Sequence, residues 1–357
     1  MGVNVTTTNG VTNGVITNPN PASAAIVIRQ FSIPLRDAAG NIIGVQNPYA
    51  EVDYKTSGGR DSYNALSISM TRRSVSGLLL NAQYTLGRSF GTSSGSNEAL
   101  TAANNARALS QFDYDLGYNN FDVRHLFNLS GLYPIPYGRG RAHALNGVSD
   151  AVLGGWDIAG IFNARSGLPI DVRITRPDVV YVDGAGNVFN NPAVGRTAVI
   201  NTPGGGASRN VRRPDLIAGA DPFIESGGVL FLNPAAFATP APGTFGNLER
   251  GLLHGPGFNQ LDVMVSKHFP FSNSALRNLE FRVEVFNLFN TANFTNPVAT
   301  LPNALPSSSL TEANKVQPGQ AFTSAAAGTF GTLTSTVSRT VGQGTQRQIE
   351  FVVRLNF

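Results

Sequence analysis

The sequence contains no cysteine, and charged residues make up only 13% of its 357 positions. The absence of thiols excludes disulfides, thiolate metal sites and cysteine nucleophiles, and it is compatible with an oxidising compartment. The formal net charge of +4 is small, and no block of Lys and Arg occurs, which argues against a nucleic-acid partner. The low charge together with 39 Gly and 21 Pro also disfavours long soluble helices.

The chain also lacks any run of roughly 18 or more consecutive apolar residues, the length that a membrane-spanning helix needs. This excludes a bundle of membrane helices but not a membrane barrel, whose strands need only about ten residues of alternating polarity. The start of the chain has neither the basic residues nor the apolar core of a secretory signal. Because an exported barrel requires one, we expect the native N-terminus upstream and this chain to be a C-terminal part.

The sequence does contain strand-like alternation of apolar and polar residues. In residues 345–357 one face holds Ile349, Phe351, Val353, Leu355 and Phe357. In residues 279–285 the apolar side chains alternate with Glu280, Arg282 and Glu284, and a face with three charges cannot be a dry core. The same pattern predicts strands near residues 62–73, 77–89, 121–136, 156–163 and 261–269, with a further candidate at 49–55.

The predicted strands are joined by connections of two kinds. Residues 73–76 and 272–278 form short turns, whereas residues 91–119, 175–256 and 291–344 form long loops. Short turns at one end and long loops at the other are typical of outer-membrane barrels, with the turns in the periplasm. The sequence therefore predicts an all-β, antiparallel transmembrane barrel segment over residues 49–357, with an irregular segment at 1–48. We expect the C-terminus in the periplasm, and Tyr133 and Trp156 at the periplasmic lipid interface.

Several of these strands resemble a known family. Residues 121–136 (FDVRHLFNLSGLYPIP) with the following YGRG, residues 62–73 (SYNALSISMTRR), residues 77–89 (GLLLNAQYTLGRS) and residues 281–290 (FRVEVFNLFN) with Asn293-Phe294 resemble the late barrel of Oar-like TonB-dependent receptors. The resemblance covers residues 49–357. It implies a barrel of about 22 strands with a plugged lumen, of which this chain supplies the last part. It also implies import of a scarce large solute, with the TonB complex acting through an N-terminal region that this chain lacks.

The candidate site residues follow from the same reasoning. Phe351, Val353, Leu355 and Phe357 resemble the terminal signal that the barrel-assembly machinery recognises. The predicted lumen-facing charges, for which we expect cross-strand ion pairs, are Asp122, Arg124, Glu280, Arg282 and Glu284. His125 falls on the lipid-facing row, so we place it at the outer rim and assign it no chemistry. The expected partners are outer-membrane lipid, the assembly machinery and an unidentified transported ligand, and no cofactor is expected.

Two possible enzyme or metal signatures have simpler interpretations. Residues 91–95 (GTSSG) match the G-x-S-x-G nucleophile elbow, but the preceding strand alternates in polarity, whereas a hydrolase strand is buried on both faces. The four histidines lack metal-site spacing, and residues 183–187 (DGAGN) predict a turn rather than a calcium loop. We therefore predict that the chain is not an enzyme. A soluble β-domain and a self-contained small barrel serving as an adhesin or structural protein remain as alternatives.

Overall fold

The structure is a computed structural model that describes most of the chain. The described residues are 2–8, 11–17, 33–46, 58–74, 77–92, 112–177, 179–201, 212–224, 228–271, 278–308, 310–337 and 346–357. Within these ranges, no helix combines the length and the apolar character that crossing a membrane requires.

Seven long strands form one antiparallel sheet, which we call the wall. They are β1 (Asp61–Arg73), β2 (Leu79–Gly91), β3 (His125–Pro134), β4 (Trp156–Arg165), β5 (Phe258–Pro270), β6 (Asn278–Phe286) and β7 (Gln348–Asn356). Their order in the sheet is their order in the chain, so each strand pairs with the next. The predicted antiparallel strands are confirmed. The further candidate at residues 49–55 lies outside the described residues, and the described sheet is not closed into a barrel.

The register of the wall explains the alternation of the sequence. Val265 lies opposite Ile158 on one side and Val283 on the other, and Val283 lies opposite Phe351. Directly opposed residues share a face, so these side chains form one row of an apolar face. The opposite, polar face contains an equally continuous row: Gln83, Asn128, Asn163 and Gln260.

Side chains of the apolar face are exposed rather than packed against a second layer. Phe351 is 79% exposed, and Ile68, Ile158, Phe281 and Val353 are also exposed. A large exposed apolar surface marks an interaction site in a folded protein, and a regular band of this kind suits contact with lipid. The wall therefore has the two-faced character of a membrane barrel strand set.

The two ends of the wall differ in their connections. At one end, which we call the turn end, residues 74–78, 135–155 and 271–277 join β1 to β2, β3 to β4 and β5 to β6. The middle connection contains the helix α1 (Gly147–Leu153). At the opposite end, the cap end, residues 92–124, 166–257 and 287–347 join the remaining pairs. The predicted separation of short turns from long loops is thus present.

The long connections are more ordered than the sequence indicates. Residues of 166–257 and 287–347 pack into a common body, which we call the cap, around a buried apolar core. In it the rings of Phe237 and Phe330 meet edge to face, with 5.2 Å between their centroids. The core comprises Ile170, Val172, Ile174, Leu232, Ala236, Phe237, Leu248, Leu253, Leu301, Ala304, Val316, Phe322, Ala326, Ala327 and Phe330.

Short elements support the cap. Arg173–Ile174 pairs in parallel with Thr300–Leu301, and Asp215–Leu216 pairs with Phe237–Ala238. Val179–Val182 pairs with both Val188–Phe189 and Thr197–Ile200, and Gly117–Tyr118 extends the edge of β2. The short helices are α2 (Ser324–Ala327) and the 3-10 turns Phe112–Asp115, Pro234–Ala236 and Glu312–Asn314.

The N-terminal segment also differs from its prediction as an irregular stretch. Gly2–Thr8 and Val11–Thr17 form a hairpin, and Ile33–Arg36 and Ile42–Gln46 form a second one. The strand Val11–Thr17 joins the cap through the pair Ile16 and Ala198. The first hairpin comes from runs rich in Thr, Asn and Gly with little periodicity, and the second from strands of only 4 and 5 residues, so neither pairing could be predicted from the sequence alone.

The turn predicted at residues 183–187 is confirmed, and residues 37–41 repeat it. In each turn the aspartate Oδ1 accepts the backbone N–H groups two and four residues further on, while the asparagine side chain donates to Oδ2. These hydrogen bonds, led by the one from the asparagine side chain, hold the pKa of Asp37 and Asp183 below the usual value. Gly40 and Gly186 supply the left-handed φ of 83° and 86° that each turn requires.

Candidate functional site

The predicted charges on β6 lie together on the polar face. The guanidinium of Arg282 contacts Glu280 Oε1 at 2.8 Å and Glu284 Oε1 at 3.0 Å. These ion pairs run along one strand, between residues two apart, and are not the cross-strand pairs that the sequence analysis predicts. Residues two apart in a strand share a face, and the long arginine side chain can reach the carboxylate on either side.

A second charged group occupies the turn end of the polar face. Asp157, at the start of β4, accepts a hydrogen bond from Arg141 at 2.7 Å and lies 3.0 Å from His268 Nε2. Arg141 also donates to the carbonyls of Ile135 and Trp156, both at 2.8 Å. The sequence analysis missed this group because Arg141 belongs to a connection, where no periodicity indicates its direction.

The cap contains a buried arginine whose partners are carbonyl and amide oxygens. The guanidinium of Arg176 donates to Thr244 O, Asn201 O and Asn201 Oδ1 at 2.9 Å each, and to Ala241 O at 3.1 Å. Burial, and secondly the nearby charge of Arg212, lowers the pKa of Arg176 to about 10, so it remains charged at neutral pH. A cation enclosed by oxygens in this way fixes the loops around it.

Two further arginines attach the connection between β2 and β3 to the cap. Arg250 donates to Gly91 O, to Gly117 O at 3.2 Å and to Asn119 Oδ1 at 3.4 Å. Arg213 donates to Tyr114 O at 2.6 Å, and its guanidinium lies 4.4 Å from the centroid of the Tyr114 ring. The described parts of the three long connections are therefore joined into one surface at the cap end.

A comparison with protein families identifies the chain by its overall pattern. The family model of the outer membrane beta barrel domain matches residues 6–350. The chain belongs to the outer membrane beta barrel domain family. No curated protein and no solved structure matches it.

Membership in the outer membrane beta barrel family bears on the two faces of the wall. A barrel in a membrane presents its apolar face to lipid, and the exposed apolar face of the wall fits that role. That Arg282 and its two glutamates face the barrel interior stays a prediction. In this outer membrane beta barrel protein, Tyr133 and Trp156 share the apolar face at the turn end. Their predicted place at the periplasmic lipid interface stays a prediction. Lipid would cover this band of exposed apolar side chains in a membrane, whereas in a soluble domain the band would face water.

Two predicted charges do not lie within a wall strand. Asp122 precedes β3 and is buried, and its Oδ1 accepts the backbone N–H of Ser89 at 2.5 Å. It acts as an acceptor that closes the junction of β2 and β3, and its predicted position facing the lumen stays a prediction. Arg124 is exposed at the cap end, and it donates to Gly87 O at 3.3 Å.

His125, which the sequence placed at the outer rim, begins β3 at the cap end. Its Nδ1 lies 2.8 Å from the hydroxyl of Tyr84 on the neighbouring strand. The aromatic partner satisfies a polar ring on the apolar face and explains how the histidine is tolerated there.

The terminal strand presents the predicted row on the apolar face. Phe351, Val353, Leu355 and Phe357 are all exposed, and β7 pairs only with β6 among the described residues. Their recognition by the assembly machinery stays a prediction.

The remaining sequence signatures have no organised site in the described part of the chain. Of the G-x-S-x-G match, Ser93, Ser94 and Gly95 lie outside the described residues, and Thr92 Oγ1 accepts from Arg60 N at 2.8 Å. The described ranges contain no group of three or more His, Asp or Glu residues arranged to hold a metal.

Proposed function

We propose that this chain is the C-terminal barrel part of a TonB-dependent outer-membrane receptor, which imports a scarce large solute and catalyses no reaction. The observation that carries the proposal is the cap. Described residues of the three long connections are fixed to one another by an apolar core and by Arg176, Arg213 and Arg250. A rigid surface mounted on a barrel is suited to ligand capture, because little ordering entropy is lost on binding.

The polar face supports the same proposal. Its row of amide side chains and the charged group on β6 suit a hydrated interior, which a transport barrel needs and a compact soluble core would not tolerate. The resemblance of residues 121–136 and 281–290 to Oar-like receptors adds the dependence on TonB. In this proposal the turn end and the C-terminus face the periplasm, and the cap faces the exterior. TonB would act through an N-terminal region outside this chain.

Uptake measurements test this function. Strains lacking the encoding gene, and strains lacking TonB, would be compared with their parent for uptake of fluorescent oligosaccharides, cobalamin and ferric chelates. We expect that at least one probe is taken up by the parent and by neither mutant, and that a protonophore abolishes its uptake. Uptake that needs the gene but not TonB would contradict the proposal, as would equal uptake of every probe in the parent and the gene deletion.

A variant of the cap tests binding of the solute separately from its transport through the barrel. Exchanging Arg176 for Met removes the donor of at least four hydrogen bonds inside the cap without touching the wall. We expect weaker binding of the same probe at normal levels of assembled barrel. The matched control is the replacement of Arg173 by Met, because Arg173 is exposed and its side chain pairs, among the described residues, with its near neighbour Asp171. Equal loss of binding in both variants would show that the cap geometry is not what captures the solute.

A further inference from the structure

The helix α1 has an apolar surface that nothing in the described fold covers. It spans Gly147–Leu153 and has no buried residue. Val148 is 81% exposed, Val152 is 59% exposed and Leu153 is 60% exposed. A helix this short is unstable by itself in water, so its contacts must hold it in place.

Those contacts attach α1 to the apolar side of the wall. Lys267 of β5 lies opposite Trp156 and Phe281, so it belongs to the lipid-facing rows. Its ammonium group donates to the carbonyls of Gly154 and Asp150, at the C-terminal end of α1. Trp156 in turn donates from Nε1 to Val152 O at 2.9 Å.

The position of Lys267 explains why the helix is needed there. A charge on a lipid-facing row is costly, and α1 offsets this by offering carbonyl oxygens that carry the negative end of the helix dipole. The ammonium also lies 5.4 Å from the Trp156 ring and 5.0 Å from the Phe269 ring. Lys267 is thereby almost completely buried although it points to the apolar side.

The same connection is anchored on the other side of the wall. Arg141, six residues before the start of α1, binds Asp157 on the polar face. The connection between β3 and β4 therefore straddles the turn end, with a cationic contact on each side. This fixes the depth of α1 relative to the apolar rows.

We propose that α1 lies in the surface of the phospholipid leaflet at the turn end, with Val148, Val152 and Leu153 in contact with the acyl chains. The occupant follows from continuity, because α1 extends the lipid-facing surface formed by Ile158, Phe269 and Leu355. An interfacial helix places its apolar residues at the boundary of headgroups and acyl chains, and a neighbouring tryptophan prefers the same depth. The inference depends on the membrane location of the barrel and not on any transported solute.

The absence of cysteine makes a labelling test direct. Val148→Cys would be compared with Val194→Cys, whose position is similarly exposed but belongs to the cap. Each variant, made in the full-length protein and reconstituted in vesicles of phosphatidylethanolamine and phosphatidylglycerol, would be treated with a membrane-impermeant maleimide added on both sides. We expect the thiol of Val148→Cys to react about tenfold more slowly than that of Val194→Cys, since transfer of a valine-sized side chain from water is worth about that factor.

A depth measurement then identifies what shields the position. Labelled with the fluorophore NBD, Val148→Cys is expected to show blue-shifted emission and strong quenching by lipids brominated near the headgroup, while labelled Val194→Cys shows neither. Trp156, the single tryptophan, serves as an internal reporter at the same depth. Rapid maleimide reaction of Val148→Cys, or slow reaction without lipid quenching, would overturn the proposal, the latter because protein would then be the cover. Neither result would bear on TonB-dependent uptake.

Discussion

Replacing Arg250 with Met tests whether buried polar contacts hold the connection between β2 and β3 onto the cap. Arg250 is 2% exposed, and one guanidinium nitrogen donates to Gly91 O, Gly117 O and Asn119 Oδ1. Burial lowers its pKa, but the group stays charged at neutral pH. Met retains the apolar stem and removes the donors, so the carbonyl oxygens around it lose a partner inside the protein.

The expected cost follows from these contacts. A buried acceptor left without a donor costs about 1–3 kcal/mol, and the contacts to Gly117 and Asn119, at 3.2 Å and 3.4 Å, are the weaker ones. We therefore expect about 3 kcal/mol in total, which corresponds to about a hundredfold increase in local opening.

Hydrogen exchange measured by mass spectrometry on the purified protein reads out this opening. The informative amides are those of Tyr118 and Asn119, which donate to Arg250 O and Ser89 O. The control is Arg60→Met, which breaks a 2.9 Å ion pair to Asp113 in the same connection while both side chains are at least 66% exposed. An exposed pair is worth less than about 1 kcal/mol, so this control should exchange within about fivefold of the parent. Equal exchange in the two variants would refute the reasoning.

Three further changes test the wall and the turn that follows β6. Val353→Arg, on the apolar face, should destabilise the barrel by up to about 2–4 kcal/mol and so lower the heat-resistant assembled fraction on a denaturing gel. Val352→Arg, on the polar face, should leave this fraction unchanged. Equal effects of the two substitutions would reject the face assignment. Phe357→Asp should lower the assembled yield in outer-membrane fractions, and normal yield would show that the terminus is not a signal. Asn287→Ala should lower the free energy of unfolding, measured with denaturant, by about 2–3 kcal/mol, because it removes the side-chain hydrogen bonds to Thr291 and adds backbone strain at a φ of 51°. Asn287→Gly should avoid the backbone strain but still lose the hydrogen bonds.

The sequence was sufficient to predict the wall, because a strand with one lipid face and one wet face repeats every two residues. In β6 the three charges and the intervening Phe281 and Val283 could only lie on opposite faces. The pairing of Arg282 could not be predicted, because rotamers and not periodicity decide whether a long side chain reaches along a strand or across it.

The cap could not be predicted for a different reason. Its core residues, such as Ile170, Phe237 and Phe330, come from segments far apart in the chain and without a common period. The three buried arginines of the loops likewise resemble solvated charges until their carbonyl partners are placed. The structure, by contrast, explains the two asparagines of the FNLFN segment. Asn287 and Asn290 both adopt the left-handed conformation that asparagine tolerates.

The wall and the cap place different demands on the rest of the barrel. Among the described residues, β1 and β7 each pair on one side only, and lipid provides no water to satisfy the backbone groups of a free edge. The edges of the wall must therefore pair with further strands, from outside the described residues or from another chain, before the wall can be inserted in a membrane. The cap depends less on such strands, because its apolar core comes from the described loops. Among the described oxygens that hold its buried arginines, Gly91 O alone belongs to a wall strand, and that strand is part of this chain. The shape of the surface above the barrel is thus a local property of this part of the chain, and the effect of Arg250→Met on it should not depend on how the wall is closed.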